Sequence, residues 1–475
     1  MKVLLRVIPV VFLGSSLFAA DIESDHSING TWKGTLQVLG QKLPLIFEIE
    51  ENKNGSAKGS LISPKQTLQK IPVTQVSLKD RNVKFWVQTV GGSFEGKLSP
   101  KSKTIKGEWT QGGNALPLEL EFSEEGFAIE RPQNPKGKVS YKEELVKFPN
   151  KFGPHNLAGT LTFPNDATTR AVPAVILVSG SGPQDRDETL FGHKPFWVIA
   201  DYLTKQGIAV LRYDDRGVGA SGGYFDGATH MDLATDASAA VEYLTSRKEI
   251  DPKRIGIIGH SEGGMLGPIV ATKREDIAFL VLLAGPGISG AETILTQSKA
   301  IGTASGLHPE LIQLNQDFLK AVFEEMQKQV PDGERIADLG RKFEAEVKKV
   351  EGLDPSMLEN LEQTMFQSLK QIESPWFHNF VKYDPGPTLE KVKCPVYALN
   401  GEVDLQVLAD INLPEIEAHL KAGGNRNYKT EKIMGHNHLF QPSMTGIPAE
   451  YGRIETTFSP LVLRKMSTWI ESVTN

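Results

Sequence analysis

Cysteine is almost missing from this chain: its 475 residues include one, Cys394. A single thiol closes no internal disulfide, so a disulfide scaffold is excluded and stability must come from a buried apolar core, which this length permits. Cys394 precedes Pro395 and the apolar run Val396-Tyr397-Ala398-Leu399, and it reads as a buried strand residue rather than a nucleophile. Paired cysteines are lacking, and so are His-x-x-x-His and His-Glu-x-x-His spacings, so no metal site is announced. An excess of positive charge is lacking too. Lys and Arg number 52 against 58 Asp and Glu, a net charge of −6, which offers no basic face to nucleic acid or anionic lipid. Beyond the N-terminus no apolar run is long enough to span a bilayer, and no stretch is low in complexity.

What is present begins at the N-terminus. Lys2 and Arg6 precede the apolar run from Val7 to Leu13, and the small residues Ala19 and Ala20 stand just before Asp21. This is the tripartite pattern of a secretory signal peptide over residues 1–20, which predicts an exported protein, periplasmic or extracellular. The apolar stretch is too short for a membrane anchor, and no Cys follows it to carry lipid.

The length calls for two or three domains. Residues 27–130 hold short apolar segments such as Leu45-Ile46-Phe47-Glu48-Ile49 and Val83-Lys84-Phe85-Trp86-Val87, separated by the turn pairs Asn54-Gly55, Gly91-Gly92 and Gly112-Gly113. They predict a small antiparallel β-sandwich or barrel. Arg131-Pro132-Gln133-Asn134-Pro135-Lys136-Gly137 has linker composition, which places the boundary there.

Over residues 141–475 the pattern changes. Continuous apolar runs at Ala174–Val178, Ile208–Leu211, Ile255–Ile258, Phe279–Leu283 and Val396–Leu399 read as central parallel strands. Amphipathic segments lie between most of them, among them Met231–Thr245. The alternation predicts an α/β fold with a doubly wound sheet. Residues 288–385 interrupt it with apolar stripes at helical spacing, including Leu311, Leu314, Phe318, Val322 and Met326, then Ile336, Leu339, Phe343 and Val347. An insertion after a strand belongs over the strand ends, where it is a lid shaping a pocket; alternatively, its stripes only pack on each other.

Gly259-His260-Ser261-Glu262-Gly263 fits Gly-x-Ser-x-Gly, the sharp strand-to-helix turn that exposes a nucleophilic serine. Gly219-Ala220-Ser221-Gly222-Gly223 fits it equally, so context decides. Ser261 directly follows a strand and precedes an apolar helix-like segment, whereas Ser221 lies deep in a Gly-rich loop. A serine needs a base, usually a histidine held by a carboxylate, and in this fold the chain order is Ser, acid, His. Asp404, just past the Val396–Leu399 strand, is the expected acid, with Glu402 and Asp384 as competitors. After the last strand, Tyr428–Ile433, both His436 and His438 are available as the base. His193, His230, His260, His308 and His378 break the order, and His419 sits in a helix-like stretch; surface or capping roles suit them better. Two backbone N–H groups must hold the oxyanion. Glu262 supplies one, and the loop Ser179-Gly180-Ser181-Gly182-Pro183 the other, from Ser181 with Gly180 as runner-up. The following Gln184-Asp185-Arg186-Asp187 either orients that loop through ion pairs or makes surface salt bridges.

Four blocks in this order carry a family resemblance: Gly180-Ser181-Gly182-Pro183-Gln184-Asp185-Arg186-Asp187, Leu211-Arg212-Tyr213-Asp214-Asp215-Arg216-Gly217, Gly259-His260-Ser261-Glu262-Gly263 and Asn437-His438-Leu439-Phe440. Over residues 141–475 the chain resembles secreted bacterial carboxylesterases of the EstD type, α/β-hydrolases related to serine aminopeptidases and dienelactone-hydrolase-like enzymes. The resemblance implies His438 as base, Asp404 in the Gly401-Glu402-Val403-Asp404 block as acid, a small-molecule ester as substrate, and no metal or organic cofactor. The Gly30-Thr31-Trp32-Lys33-Gly34 motif is similar to the β-rich extension of that group. The chain has Ser179-Gly180 where the wider lipase and esterase pattern often has His-Gly. A peptidase of the serine-aminopeptidase kind would use the same three residues, and a binding protein with an inert site is a further class.

Overall fold

A computed structural model describes residues 27–38, 41–51, 57–64, 67–99, 103–123, 131–328, 331–350 and 374–475. The expected signal peptide and the Asn54-Gly55 turn lie outside the described residues. The chain divides into two compact units, Met1–Phe127 and Ala128–Asn475.

In the first unit every strand is short and antiparallel: β1 (Gly30–Val38), β2 (Gln41–Glu51), β3 (Ala57–Ser63), β4 (Thr67–Val73), β5 (Gln75–Lys79), β6 (Asn82–Val87), β7 (Gly92–Leu98), β8 (Thr104–Gln111) and β9 (Asn114–Ser123). Alternation decides which face is buried. In β6, Val83, Phe85 and Val87 point inward while Asn82 and Trp86 face out. Gly112-Gly113 joins β8 to β9 as a two-residue turn with both φ angles positive, +58° and +80°, the geometry that matches the twist of a hairpin. The sheet order is β4-β3-β2-β1-β9-β8-β7-β6-β5, yet its end strands β4 and β5 are consecutive in the chain. Only Thr74 separates them, and its N–H donates to Trp86 O of β6 at 2.7 Å. The sheet is therefore curled nearly into a barrel around Trp32, Phe47, Phe85, Phe94 and Trp109.

The second unit is a mixed α/β sheet in the order β10-β11-β13-β12-β14-β15-β16-β17. It opens with an antiparallel hairpin, β10 (Lys142–Pro149) and β11 (Asn156–Phe163), whose second strand pairs antiparallel with β13 (Ala209–Tyr213). The remaining strands, β12 (Val172–Val178), β14 (Ile250–His260), β15 (Phe279–Leu283), β16 (Val396–Gly401) and β17 (Tyr428–Ile433), run parallel with β13. Their apolar runs are continuous because helices cover both faces. Ala174, Ile176 and Val178 of β12 meet α2 (His230–Thr245), α3 (Glu262–Lys273) and Ala409–Ala422 on one side. Val175 and Leu177 meet α1 (Pro195–Lys205) and the C-terminal Pro460–Thr474 on the other. The chain reverses direction across the sheet at β12, so the C-terminal ends of β12 and β14 flank a crevice suited to ligands.

The segment expected to be a linker is instead fastened to the second unit. Arg131 donates to the carbonyls of Ile454, Gly452 and Phe191, and Gln133 bonds Thr457 and Phe458. Its Pro-rich composition reflects an irregular path, not freedom. Cys394 sits just before β16 rather than within it; it is partly buried, and burial pushes its thiol up to about 12.

Between β15 and β16 lie the described helices α4 (Gly290–Ala304), α5 (Pro309–Met326), α6 (Gly333–Val347) and α7 (Pro375–Lys382), followed by the single turn Gly386–Leu389. Both readings of their apolar stripes hold, for different helices. Phe318 of α5 stacks on Phe343 of α6 at 4.9 Å, and Val322, Phe323 and Met326 pack with Phe377 and Val381 of α7. Meanwhile α4 and α7 turn Ile294, Ile301, Trp376 and Phe380 toward the strand ends.

Candidate active site

Strand β14 ends at His260 and helix α3 starts at Glu262, leaving Ser261 alone to make the turn. Its backbone lies at φ +51°, ψ −116°, a strained left-handed conformation for a residue with a side chain. Its N–H donates to Leu283 O of the neighbouring strand at 2.8 Å. The turn tolerates no side chain on either flank: a Cβ on Gly259 would lie 2.0 Å from Gly263 O, and one on Gly263 would lie 2.1 Å from Val178 O. Those two glycines are steric requirements. Ser221, the competing serine, is loop structure: its hydroxyl accepts from Ala158 N and donates to Asp214 O.

Asp404 follows β16 and is buried. Its Oδ2 lies 2.8 Å from His438 Nδ1, while Oδ1 accepts the backbone N–H groups of Gln406 (2.7 Å) and Val407 (2.9 Å). A carboxylate so held takes a proton-bearing Nδ1 and leaves Nε2 of His438 with its lone pair, as a base requires. Of the competitors, Glu402 accepts Gly435 N and Asp384 accepts Gly386 N, both as turn chemistry. His436 is turned away, its ring held by Met434 O and Ser459 Oγ. The loop that presents His438 is shaped by Asn437, fully buried, whose Oδ1 accepts from Leu439 N and Gln441 N. Asn437 stands in the sequence only as one residue of the Asn437-His438-Leu439-Phe440 block; an asparagine able to make an Asx turn just before a candidate base is its signal.

Ser261, His438, Ser181 and Glu262 line one cavity of about 700 Å³, walled by lid residues Ile294, Ile301, Trp376, Phe377 and Phe380. The N–H of Gly180, the runner-up as loop donor, already donates to Glu188 Oε1 at 2.7 Å. The ion pairs behind this loop are part-buried, each with one buried partner, Asp214 or Arg212. Arg186 grips Asp214 with two N–H bonds, 3.0 and 2.6 Å long, and Asp187 pairs with Arg212. Asp215 accepts Ser179 Oγ and Gln184 N, and burial pushes its carboxyl up to about 8. The Arg212–Arg216 block is thus the scaffold of the oxyanion loop, a role its sequence did not disclose because the partners lie about 30 residues apart. Three histidines expected at the surface are buried: His193, His230 and His260. His308 does cap α5.

Among the described residues no Lys or Arg lines the cavity. Glu262 does, buried beside the nucleophile, its carboxylate accepting Trp376 Nε1 at 2.9 Å and the Ser181 hydroxyl. Burial raises it from 4.5 to about 7 because neither donor is charged. A carboxyl with a raised folded value stabilises most below its unfolded pKa and loses that contribution as pH climbs through about 7. Glu262→Gln is therefore expected to match wild type in thermal unfolding at pH 5 and to exceed it at pH 8. The gain is on the order of 2–3 kcal/mol, read as a midpoint raised by several degrees. Equal midpoints at pH 8 would refute the buried charge.

Among the described residues no group of His, Cys, Asp and Glu is arranged to hold a metal, and no helix is long and apolar enough to cross a membrane.

Known proteins resemble this chain in part. It is 35% identical over 160 residues to esterase EstD of Thermotoga maritima, covering 33% of this chain and 38% of that protein. The chain thus aligns with little over a third of that relative's length. Its fold resembles an esterase of Pyrococcus furiosus (TM-score 0.42, 16% identity, 74% of this chain and 100% of that one). It likewise resembles proline iminopeptidase of Mycobacterium smegmatis (TM-score 0.42, 16% identity, 70% and 99%). The family model of the X-Pro dipeptidyl-peptidases (S15 family) matches residues 153–424, a span that holds Ser261 and Asp404 and stops short of His438. That match covers more than half of its length, and the chain belongs to the X-Pro dipeptidyl-peptidase (S15) family.

Proposed function

We propose that this chain is a serine hydrolase that cleaves small carboxylic esters through an acyl-enzyme on Ser261. The observation that carries the reading is the buried His438–Asp404 pair, 2.8 Å apart, opening with Ser261 onto one cavity. His438 Nε2 takes the Ser261 proton as Oγ attacks the ester carbonyl. The N–H groups of Ser181 and Glu262 hold the oxygen that becomes negative. The proton then goes to the departing alcohol, and a water activated by His438 releases the acid. No step calls for a metal or organic cofactor. The partial identity to an esterase supports the ester as substrate.

Family membership and the Glu262 carboxylate, in a cavity whose described lining holds no Lys or Arg, favour a second reading, a peptidase that binds a free amino group near Glu262. Chromogenic esters from acetyl to long acyl, set beside Xaa-Pro anilides, separate the two. Ester turnover with silent anilides sustains the first reading; dominant anilide turnover replaces it with the second. Residues 1–20 are proposed to direct export, and the mass of the mature protein from an exporting bacterial host, short by those residues, is the check.

A further inference from the structure

We propose that Glu188 and His260 are a buried positioning pair that locks the oxyanion loop to the loop of the catalytic base, so that both meet Ser261 in register. The inference rests on Ser261 being the nucleophile.

Neither residue belongs to the three that carry the proposed chemistry, yet both reach the cavity. Glu188 Oε1 accepts two bonds, from Gly180 N (2.7 Å) and from His260 Nδ1 (2.8 Å). On the far side of the ring, His260 Nε2 donates to the His438 carbonyl at 3.1 Å. One chain of three hydrogen bonds therefore runs from the end of β12, through the last residue of β14, to the residue proposed as base.

The proton inventory follows from the partners. A carbonyl oxygen only accepts, so Nε2 bears a proton. Glu188 Oε1 also accepts from the Gly180 N–H, and a proton on Nδ1 lets it accept from the ring as well. His260 is thus hydrogen-bonded through both ring nitrogens. Burial opposes its charge, but the adjacent Glu188 outweighs burial and holds His260 above the ordinary histidine range.

Two observations set this pair apart from ordinary internal packing. The pair is buried, with side-chain exposures of 7% for His260 and 8% for Glu188. Buried ion pairs are poor stabilisers, since desolvation cancels much of the attraction. Glu188 also holds φ at +52°, in the left-handed region, which costs a residue with a side chain about 1–2 kcal/mol. The fold accepts both costs where they set geometry. The loop it sets is close to the chemistry: a Cβ on Gly180 would lie 3.2 Å from Ser261 Cβ. With the Gly180 peptide anchored, the next N–H, that of Ser181, is aimed; with the His438 carbonyl anchored, the imidazole that Asp404 orients is fixed at its backbone as well. Glu188 and His260 touch no reacting atom in this scheme and act through Gly180 and His438.

The test compares Glu188→Ala and His260→Ala with the conservative Glu188→Gln and His260→Gln in the full chain. Its readouts are kcat and KM on a chromogenic ester, the rate at which a fluorophosphonate labels Ser261, and the unfolding midpoint. The expected result is a kcat and a labelling rate down by about 10–100-fold in the alanine variants, with KM within about twofold. Each glutamine variant should recover part of that loss, because its amide still accepts from Gly180 or donates to His438. Folded variants with wild-type kcat and labelling and only a lower midpoint would make the pair simple structural glue and overturn the proposal. If the alanine variants do not fold, the glutamine variants decide by the same criterion: a lowered kcat at constant KM supports the pair and a wild-type kcat overturns it. A wild type inert to both ester and fluorophosphonate would overturn the nucleophile itself, an outcome distinct from failure of the pair alone.

Discussion

Ser261→Ala is expected to abolish ester turnover, lowering kcat by about 10⁴–10⁶-fold, and to eliminate fluorophosphonate labelling. The hydroxyl is the only nucleophile placed at the strained turn, and no neighbouring side chain can take over its role. His260 is committed to Glu188 and the His438 carbonyl, and Glu262 to Trp376 and Ser181. The substitution removes one oxygen and leaves the turn intact, because alanine carries the same Cβ at φ +51° as serine. The unfolding midpoint should stay within a few degrees of wild type. The residual rate, measured on a chromogenic acetate, reports what the oxyanion donors do without a nucleophile. Retention of more than about a tenth of the activity would move the chemistry away from Ser261 altogether.

Asp404→Asn has an expected effect nearly as large, about 10⁴-fold in kcat, with little change in fold. The structure gives the reason. Two backbone N–H groups, of Gln406 and Val407, point at Oδ1. An asparagine must keep its carbonyl oxygen there, since an amide NH₂ in that place would face two donors. Its NH₂ is then directed at His438 Nδ1, which becomes an acceptor, and the ring proton moves to Nε2. A base with its proton on the wrong nitrogen cannot take one from Ser261. The ring nitrogens of histidine labelled with ¹⁵N would show the change of tautomer at His438 directly. An Asp404→Asn enzyme with wild-type kcat would mean that the His438–Asp404 contact is structural.

The legibility of this site was uneven, and the reason is sequence distance. Ser261 was readable because its constraint is local: strand, glycine, serine, glycine and helix occupy one short stretch. Asp404 and His438 were readable through the order of strand ends, since each follows a parallel strand that its apolar run announces. The choice of His438 over His436 needed the resemblance, because two histidines on one short loop look alike until Ser459 and Met434 claim one ring.

The hairpin β10–β11 had no comparable signal. Its first strand mixes charged and apolar residues without alternation in Glu143-Glu144-Leu145-Val146-Lys147, and only the pairing of β11 with β13 shows the hairpin as part of the sheet.

By itself, the amino-acid sequence determined the class of the two units, the parallel strands and the sharp turn at Ser261, since hydrophobic period and glycine placement act over a few residues. Only the tertiary structure decided what stands behind them. Glu188 meets His260 across 72 residues, and Glu262 meets Trp376 across 114. Burial turned these from ordinary polar residues into an ion pair and a carboxyl poised near pH 7. Hydrogen-bond partners and local dielectric belong to neighbours in space, and the sheet brings those neighbours together only when all its strands are in place.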